Sequence, residues 1–521
     1  MNTIPDLILS ACKKYNSKSA IEENSKCISF KEVYEQSIKI SNFLKKNNLN
    51  KGDRVAICMS KSISQVLSIL GVSFSGGIFV PILPNLKKDG IKHILSHSGA
   101  KFVITDYERY NEIRKSNLKC KILFCSENIS LRSKGINILK ETSSYKYIKK
   151  HKLKIFPEDD AAIIYSSGST GYPKGIVIPH KNFKLGAEIV SRFLNTKKND
   201  RIAGVLSFNF DYGLNQLWQC FYKGSTLVLK EIIFYQEFLK FCKLKKITAI
   251  PLMPVIISLI THSIKIKKNY ALSSVRYVCT SGGSVTKEMV INLKKLFPKA
   301  RIVLMYGLTE AFRSTYLDPK KALKKYYSIG KAIPKVKINI LREDFSECDP
   351  DEIGELVHRG GCVSSRYWND KKSSLKRFRH ISRFPGEVTV FSGDFVKKDL
   401  EGDIIFISRK DSMIKTMGFR VSPTEIEDQM LKHNLIYQCV VFSKKDKNIG
   451  EKIYLSYTSK NKKKIKEEKL KSFLIKKLPK HMIPEKTIFF TKFNITGNQG
   501  KIDRKSVINL SNKKLINVKN K

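Results

Sequence analysis

Apolar and polar positions follow two different periods along the N-terminal part of the chain. Ser29–Glu32 has the pattern of a capping box, and Val33, Ile38, Phe43 and Leu44 follow it at roughly helical spacing. Short apolar runs bounded by turns predict strands at Val55–Met59, Gly77–Leu83 and Phe102–Thr105. A second helix is predicted near Ile91–Ser96, between the last two of these strands. Strands that alternate with helices indicate an α/β fold with a largely parallel sheet.

The stretch Val66–Pro84 carries no charge and is long enough to suggest a membrane span. Gly76-Gly77 and two prolines interrupt it, so the pattern favours a helix, a tight turn and a strand. We therefore expect no transmembrane segment.

The C-terminal part of the chain has the pattern of a small separate unit. Ser422–Glu425 combines an N-cap serine, a proline at the first helical position and a capping-box glutamate. The apolar runs that follow predict strands at Cys439–Phe442, Ile453–Thr458 and Thr487–Thr491. A helix is predicted at Glu467–Lys477. A chain of 521 residues is long enough for two or three domains, and these elements predict a small α+β domain at its end.

The hydrophobic content of 42% is ordinary for a globular protein, but the net charge of +51 is unusually high. Nucleic acid, a membrane surface or an acidic partner could explain it. The lysines are spread over the whole chain without an aromatic-interleaved basic patch, which favours a compositional origin and no nucleic-acid partner. An acidic carrier protein stays compatible with the charge.

Eleven cysteines without a CxxC pair indicate reduced thiols and a cytoplasmic protein.

The segment Ile164–Gly175 carries the clearest candidate chemistry. An apolar run, Ala161–Tyr165, predicts a strand before it, and Ile176–Ile178 predicts a strand after it. Backbone N–H groups of a glycine-rich loop form an anion site, to which hydroxyls and a lysine add donors and charge. The loop residues concerned are Ser166, Ser167, Gly168, Ser169, Thr170, Gly171, Lys174 and Gly175.

Composition alone would also allow a Ser/Gly-rich surface turn. A Walker A loop is excluded, because that motif requires Gly-Lys before Ser or Thr, whereas Lys174 follows Pro173 and precedes Gly175. The order Ser/Thr-Ser/Thr-Gly-Ser/Thr-Thr-Gly-x-Pro-Lys-Gly at 166–175 resembles the phosphate loop of the AMP-forming adenylating superfamily, which comprises acyl-CoA synthetases, peptide-synthetase adenylation domains and luciferases.

This resemblance implies a fold and a division of the chain. It implies an α/β N-terminal adenylation domain, residues 1–408, with two α/β sheet layers and a small β-barrel. A small mobile α+β lid domain, residues 409–521, would carry the catalytic lysine.

Two further segments resemble nucleotide-binding motifs of the superfamily. The sequence Tyr306-Gly307-Leu308-Thr309-Glu310 matches its Tyr-Gly-x-Thr-Glu, and Gly282-Gly283 lies where its adenine-binding turn is found. The resemblance implies that Tyr306 stacks on adenine, Thr309 donates to the α-phosphate and Glu310 holds Mg²⁺ together with nucleotide phosphates.

The remaining motifs lie in the C-terminal third of the chain. By resemblance, Asp394 accepts the ribose hydroxyls and Arg409 contacts ribose or phosphate. Asp411 would be the pivot of the lid, and Gly418 would line the path of a pantetheine arm. Lys501, in Gly-Lys-x-Asp-Arg, would bind the substrate carboxylate and the bridging oxygen during adenylation.

The segment Ser207–Trp218 resembles the opening of the superfamily's carboxylate-substrate pocket. Phe210-Asp211 matches a pair with which peptide-synthetase adenylation domains hold a substrate ammonium group, and Tyr212 and Asn215 would line the same pocket. A buried carboxylate is costly without a cationic partner, so Asp211 hints at an amino acid. Asp211 could instead be an ordinary helix cap.

Together these matches imply an AMP-forming acid–thiol ligase that uses ATP and Mg²⁺. Its substrate would be a small carboxylic or amino acid, and its acceptor CoA or a 4′-phosphopantetheine carrier protein. An amino-acid adenylation enzyme that loads a separate carrier is the alternative. A non-catalytic nucleotide- or nucleic-acid-binding protein on this fold is more remote, because Glu310, Asp394 and Lys501 are all present.

Overall fold

The structure is a computed structural model. It describes residues 2–84, 86, 88–115, 120–125, 136–142, 154–166, 173–232, 236–263, 271–410, 414–416, 419–446, 450–496 and 501–517. The chain divides into two compact units, Met1–Ile338 with Val357–Phe391 and Asn339–Leu356 with Ser392–Lys521. The expected boundary between residues 408 and 409 stays a prediction.

Strands alternate with helices in the first unit and follow one another more closely afterwards. The strands of the described residues are β1 (Ser19–Glu23), β2 (Lys26–Ser29), β3 (Arg54–Cys58), β4 (Ile78–Pro81), β5 (Phe102–Thr105), β6 (Lys121–Phe124), β7 (Ile136–Asn137), β8 (Asp160–Ser166), β9 (Lys174–Pro179), β10 (Arg201–Gly204), β11 (Thr226–Leu229), β12 (Ala249–Leu252), β13 (Tyr277–Thr280), β14 (Arg301–Leu308), β15 (Ala311–Tyr316), β16 (Ser328–Ala332), β17 (Val336–Leu341), β18 (Gly354–Gly360), β19 (Arg366–Tyr367), β20 (Phe378–Arg379), β21 (Thr389–Lys398), β22 (Ile404–Arg409), β23 (Ile414–Thr416), β24 (Phe419–Val421), β25 (Ile436–Asp446), β26 (Gly450–Ser459), β27 (Lys486–Phe489), β28 (Ile495–Thr496) and β29 (Lys501–Ile502). The α-helices are α1 (Ile4–Tyr15), α2 (Phe30–Lys46), α3 (Ile63–Ser75), α4 (Lys88–Ser98), α5 (Tyr107–Lys115), α6 (Ile138–Thr142), α7 (His180–Phe193), α8 (Asp211–Lys223), α9 (Gln236–Leu244), α10 (Pro254–Ser263), α11 (Lys287–Leu296), α12 (Lys371–Arg377), α13 (Pro423–Leu431), α14 (Glu467–Ile475) and α15 (Arg504–Asn517).

Two sheets build the first unit. One has the order β19-β9-β8-β4-β3-β5-β6-β7, and the strands from β8 through β4 to β7 pair in parallel. The other contains the run β16-β15-β14-β13-β12-β10-β11-β1-β2, parallel from β14 to β1. The predicted α/β fold with largely parallel sheets is confirmed, as is the capping box, in which Ser29 and Glu32 bond reciprocally at the start of α2.

The uncharged stretch that suggested a membrane span forms a buried helix and strand. Helix α3 ends at Gly76, whose φ of +77° is the left-handed conformation that glycine adopts at helix ends. Strand β4 follows at once and pairs with β3. Among the described residues, no helix has the length and apolarity that crossing a bilayer would take.

A close contact between α7 and β15 positions the centre of the second sheet. Phe183 packs against Trp218, with ring centroids 5.4 Å apart, and against Phe312 at 6.4 Å. A Cβ on Gly186 would lie 2.1 Å from the Phe312 ring, so α7 can approach β15 this closely only because residue 186 has no side chain. Strand β15 directly follows the Thr309-Glu310 turn, so the position of the strand also sets the position of that turn.

The second unit contains an antiparallel sheet of the order β24-β23-β26-β25, with β27 added parallel to β26. Helices α13 and α14 cover it, and Ile426, Leu455 and Leu470 are fully buried in its core. This confirms the predicted small α+β unit. The expected small β-barrel is not found as a closed barrel among the described strands. The order β17-β18-β21-β22 is open, because β17 pairs only with β18 and does not return to β22.

Candidate functional site

The two strands that flank the predicted phosphate loop pair with each other. Strand β8 runs antiparallel to β9, and Ser166 lies opposite Lys174 at the end of the ladder. The predicted order of strand, loop and strand is therefore confirmed at both ends. The loop residues Ser167, Gly168, Ser169, Thr170 and Gly171 lie outside the described part of the chain, and their role stays a prediction.

Lys174 is held at the N-terminus of α12. Its Nζ donates to Ser373 Oγ at 2.5 Å, lies 3.7 Å from Asp370 Oδ2 and sits 5.3 Å from the centre of the Tyr367 ring. Asp370 caps this helix, and hydrogen bonds from Ser373 together with the charge of Lys174 lower the pKa of its carboxyl. The Asp-x-x-Ser pattern predicts such a cap, but nothing in it predicts the lysine contact.

Thr309 and Glu310 form the turn of the hairpin that joins β14 to β15, since Leu308 lies opposite Ala311. The hydroxyl of Ser364 donates to the carbonyl of Thr309 at 2.9 Å, and its N–H donates to the carbonyl of Glu310 at 2.8 Å. These bonds fix the backbone of the turn. Strand β14 extends into the motif as far as Leu308.

The carboxylate of Glu310 is 8% exposed and is oriented by two side chains. The hydroxyl of Tyr367 donates to its Oε1 at 2.6 Å, and Arg377 Nη2 lies 3.4 Å from the same oxygen. Both contacts use Oε1, which leaves Oε2 to meet a cation. No cluster of three metal-ligating side chains occurs in the described residues, so Glu310 fits a Mg²⁺ ion shared with nucleotide phosphates rather than one held by protein alone. Tyr367 and Arg377, the two residues that contact the Glu310 carboxylate, were not singled out by sequence analysis.

The ring of Tyr306 stacks on His358, with centroids 6.2 Å apart and planes 16° from parallel. His358 is fully buried, and neither ring nitrogen has a hydrogen-bond partner among the described residues. Burial, and then the nearby charge of Arg377, lower its pKa to about 3, so the imidazole is neutral at physiological pH. A neutral planar ring thus supports the face of Tyr306, whose stacking on adenine stays a prediction.

The glycine turn expected to bind adenine follows β13, the parallel neighbour of β14. Gly282 has a φ of +87°, a conformation that a residue with a side chain rarely adopts. Gly283 is exposed beside it, and Gly307 lies at the end of β14 with the backbone of Arg313 3.0 Å from where its Cβ would be. Adjacent parallel strands therefore deliver both motifs to one edge of the sheet, where α/β proteins bind ligands.

The predicted substrate-pocket residues occupy the first turns of α8. Asp211 is the first residue of the helix rather than its cap, because Phe210 holds the N-cap position without a side-chain bond. The hydroxyl of Tyr212 donates to the carbonyl of Cys279 at 2.9 Å, next to the glycine turn. Asn215 is buried, and its Oδ1 accepts a bond from Gln219 at 2.5 Å.

Arg313 lies against the Tyr212 ring and was also missed. Its guanidinium carbon is 4.2 Å from the centre of that ring, and the residue is 3% exposed. The only sequence signal is a charged residue inside an apolar strand, three positions after Glu310.

In the second unit the structure brings together two residues that were predicted separately. Asp394 and Arg409 lie opposite each other on β21 and β22, and their side chains form an ion pair of 3.0 Å. Asp394 is 4% exposed, and its backbone N–H is held by Ser392 Oγ at 3.0 Å. Asp411 and Gly418 lie outside the described residues.

Lys501 begins β29, which pairs with β28 so that Lys501 lies opposite Thr496. Its side chain is outside the described part of the structure. Three residues later Arg504 donates to Glu427 at 3.0 and 2.6 Å, and Glu427 also accepts the backbone N–H of Val441 at 2.6 Å. The segment that carries the lysine is thus anchored to α13 and β25 by a bidentate ion pair.

Comparison with known proteins gives similarities that span nearly the whole of this chain. The chain is 27% identical over 500 residues to surfactin synthase subunit 2 of Bacillus subtilis (strain 168), covering 94% of this chain and 13% of that protein. It is 26% identical over 520 residues to the long-chain-fatty-acid–CoA ligase of the same organism, and the match covers 93% of this chain and 90% of that protein. The chain spans less than half the length of the peptide synthases that it matches, for example 43% of gramicidin S synthase 1 from Brevibacillus brevis.

Solved structures resemble this one over nearly the whole chain. An o-succinylbenzoate CoA synthetase from Bacillus subtilis, in complex with its acyl-adenylate, has a TM-score of 0.83 at 21% identity and covers 97% of this chain and 98% of that one. A benzoate CoA ligase from Burkholderia xenovorans LB400 has a TM-score of 0.86 at 19% identity, covering 97% and 100%. These likenesses confirm the fold. The family model for AMP-binding enzymes matches residues 9–368, and that for their C-terminal domain matches residues 425–499. The chain therefore belongs to the AMP-binding enzyme family.

Proposed function

We propose that the protein activates a carboxylic acid with ATP to an acyl-adenylate and transfers the acyl group to a pantetheine thiol. The observation that carries this proposal is the position of Tyr367. Its ring lies under Lys174, which flanks the phosphate loop, and its hydroxyl bonds to Glu310. A cation for phosphate oxygens and a carboxylate for Mg²⁺ are thus held by one side chain. That is the charge arrangement a nucleotide triphosphate requires.

In the first half-reaction an oxygen of the substrate carboxylate attacks the α-phosphorus of ATP, and pyrophosphate leaves. Bound Mg²⁺ would neutralise charge on the phosphate oxygens. The backbone N–H groups of the loop, Lys174 and Thr309 would donate to those oxygens where negative charge develops. Lys501 would neutralise the attacking carboxylate and the bridging oxygen. Asp394 would accept the ribose hydroxyls, with Arg409 beside it.

In the second half-reaction the thiolate attacks the carbonyl carbon of the adenylate, and AMP leaves. We propose that the C-terminal domain turns at Asp411 between the two steps, which removes Lys501 and brings Gly418 to the thiol path. CoA and a carrier protein are rival acceptors. Free thiols at all eleven cysteines suit a cytoplasmic enzyme.

An amino-acid adenylation enzyme that loads a carrier protein is the second candidate. Asp211 favours it, because this carboxylate at the start of α8 has no ion-pair partner among the described residues and could hold an ammonium group. Several curated relatives are peptide synthases, which the chain covers only in part.

ATP–pyrophosphate exchange over a panel of fatty, aromatic and amino acids tests the first half-reaction. Lys501→Ala should lower exchange by roughly 100- to 1,000-fold, as loss of one group that stabilises developing charge does. The same variant should still form thioester from supplied adenylate. Lys505→Ala, an exposed lysine in the same segment, is the matched control and should leave exchange unchanged.

Unchanged exchange in Lys501→Ala would refute the role of this lysine. No exchange with any acid, together with salt-sensitive binding of DNA or RNA, would favour the non-catalytic alternative. Repeating active substrates with CoA and with a phosphopantetheinylated carrier identifies the acceptor.

A further inference from the structure

Arg313 carries a buried charge that the rest of the described chain does not compensate. The residue is 3% exposed and has a φ of +54°. Its Nη1 makes one long hydrogen bond, 3.4 Å to Ser281 Oγ. Its Nε and Nη2 have no hydrogen-bond partner among the described residues. A guanidinium has five N–H donors in a planar fork, so most of its donors here are unused.

The groups around this guanidinium are not anions. The ring of Tyr212 faces it at 4.2 Å, but burial raises the pKa of that phenol well above 10, and its hydroxyl already donates to Cys279. Burial likewise raises the pKa of the Cys279 thiol to about 11. Both groups are therefore neutral at physiological pH. A cation–π contact alone does not replace the hydrogen bonds that a buried guanidinium gives up.

Two other partly buried arginines of the same unit are each paired with a carboxylate. Arg276 donates to both oxygens of Asp200, at 2.8 and 2.6 Å. Arg359 donates to Glu387 at 2.6 Å. The side chains of these two are 29% and 12% exposed. Arg313 is more buried than either and has no carboxylate.

The guanidinium lies where the substrate is expected. It is three residues beyond Glu310, faces Tyr212 at the start of α8 and reaches Ser281 before the glycine turn. The left-handed backbone at Arg313 and the close approach of Gly307 hold the residue in this position. We propose that the substrate carries a second carboxylate, which Arg313 binds through a bidentate pair while the first carboxylate is adenylated. This inference rests on the proposed adenylation function.

A second carboxylate can come from a dicarboxylic acid or from an acidic amino acid, whose ammonium group Asp211 would receive. ATP–pyrophosphate exchange with matched pairs decides between them: glutaric acid against its monoamide, and glutamate against glutamine. We expect the member of one pair that has two carboxylates to be preferred by about 100-fold or more in kcat/KM, because the other member leaves Arg313 unpaired.

Variants at Arg313 test whether this residue causes the preference. Arg313→Gln should lower kcat/KM for the diacid by about 100-fold, mainly through KM, and leave the monoamide unchanged or improved. Arg313→Lys keeps the charge but not the fork and should be intermediate. Arg192→Gln removes a largely exposed arginine elsewhere and is the control.

Equal use of diacids and monoacids by the unmodified enzyme would overturn the inference and leave the proposed function standing. An equal loss for every acid in a folded Arg313→Gln protein would also overturn it, because Arg313 would then hold the reacting carboxylate. No exchange with any acid refutes the proposed function itself. If the Arg313 variants do not fold, the preference of the unmodified enzyme decides.

Discussion

His358 should make the first unit sensitive to acid. Its pKa is about 3 in the folded chain, against an ordinary value of 6.5, because the ring is fully buried and lies near the charge of Arg377. Between these two values the unfolded chain binds a proton that the folded chain does not. The free energy of unfolding must therefore fall as the pH falls below about 6.5 and level off near the folded pKa.

The size of this effect follows from the two pKa values. Between pH 7.5 and pH 5.0 the histidine should remove roughly 2 kcal/mol from the free energy of unfolding, at 1.36 kcal/mol for each unit that separates the pH from the ordinary pKa. His180, a second buried histidine whose pKa burial lowers to about 4, acts in the same direction and adds a background. A substitution at residue 358 separates the two contributions.

His358→Phe keeps a planar ring against Tyr306 and removes the titrating group. Urea unfolding at the two pH values, followed by tryptophan fluorescence, is the assay. Both tryptophans of the chain, Trp218 and Trp368, belong to the first unit, so the signal reports on that unit. Between pH 7.5 and 5.0, we expect the free energy of unfolding of the variant to fall by about 2 kcal/mol less than that of the unmodified protein.

Replacement of the exposed His380 by Gln is the matched control and should not change the pH dependence. The same pH dependence in His358→Phe as in the unmodified protein would refute the reasoning. It would mean that the imidazole is solvated or already charged in the folded state.

Three substitutions test other contacts. Tyr367→Phe removes the hydroxyl that orients Glu310 and should lower pyrophosphate exchange by about 10-fold and raise the Mg²⁺ concentration required, with little change in unfolding. Asp211→Ala should raise KM for an amino acid by about 10- to 100-fold and leave a simple fatty acid unaffected; equal effects on both would argue against an ammonium-binding role. Gly186→Ala would place a methyl group 2.1 Å from the Phe312 ring and should cost about 1–3 kcal/mol in urea unfolding, so an unchanged midpoint would contradict the packing argument.

Local patterns predicted the parts of this structure that depend on local forces. The strands on both sides of the phosphate loop, the capping box of α2 and the helix–turn–strand at Gly76 all follow from periodicity, glycine and capping residues within a few positions. The α/β class follows from the order of such elements.

Contacts between distant positions could not be predicted in this way. Tyr367 reaches Glu310 across 57 positions, and only the pairing of β19 with β9 brings it there. Asp394 and Arg409 face each other because of the register of β21 and β22, which no motif encodes. Arg313 was missed because a single arginine in a strand indicates a binding site only when its neighbours in the fold are known to be neutral.

The charge balance inside the protein differs from that of the whole chain. The chain has 97 lysines and arginines against 46 acidic residues, yet several buried acids are each paired with an arginine. Four such pairs are Asp200 with Arg276, Glu310 with Arg377, Asp394 with Arg409, and Glu427 with Arg504.

The excess of positive charge must therefore lie mostly at solvated positions, where an unpaired lysine costs little because water screens it. This is why the net charge by itself identifies no partner. Arg313 differs from these solvated cations, because a cation that is 3% exposed is poorly stabilised by water, and its Nε and Nη2 have no hydrogen-bond partner among the described residues. On the proposal made above, a carboxylate of the substrate supplies the counter-charge, and the pocket would then select for charge rather than for apolar shape alone.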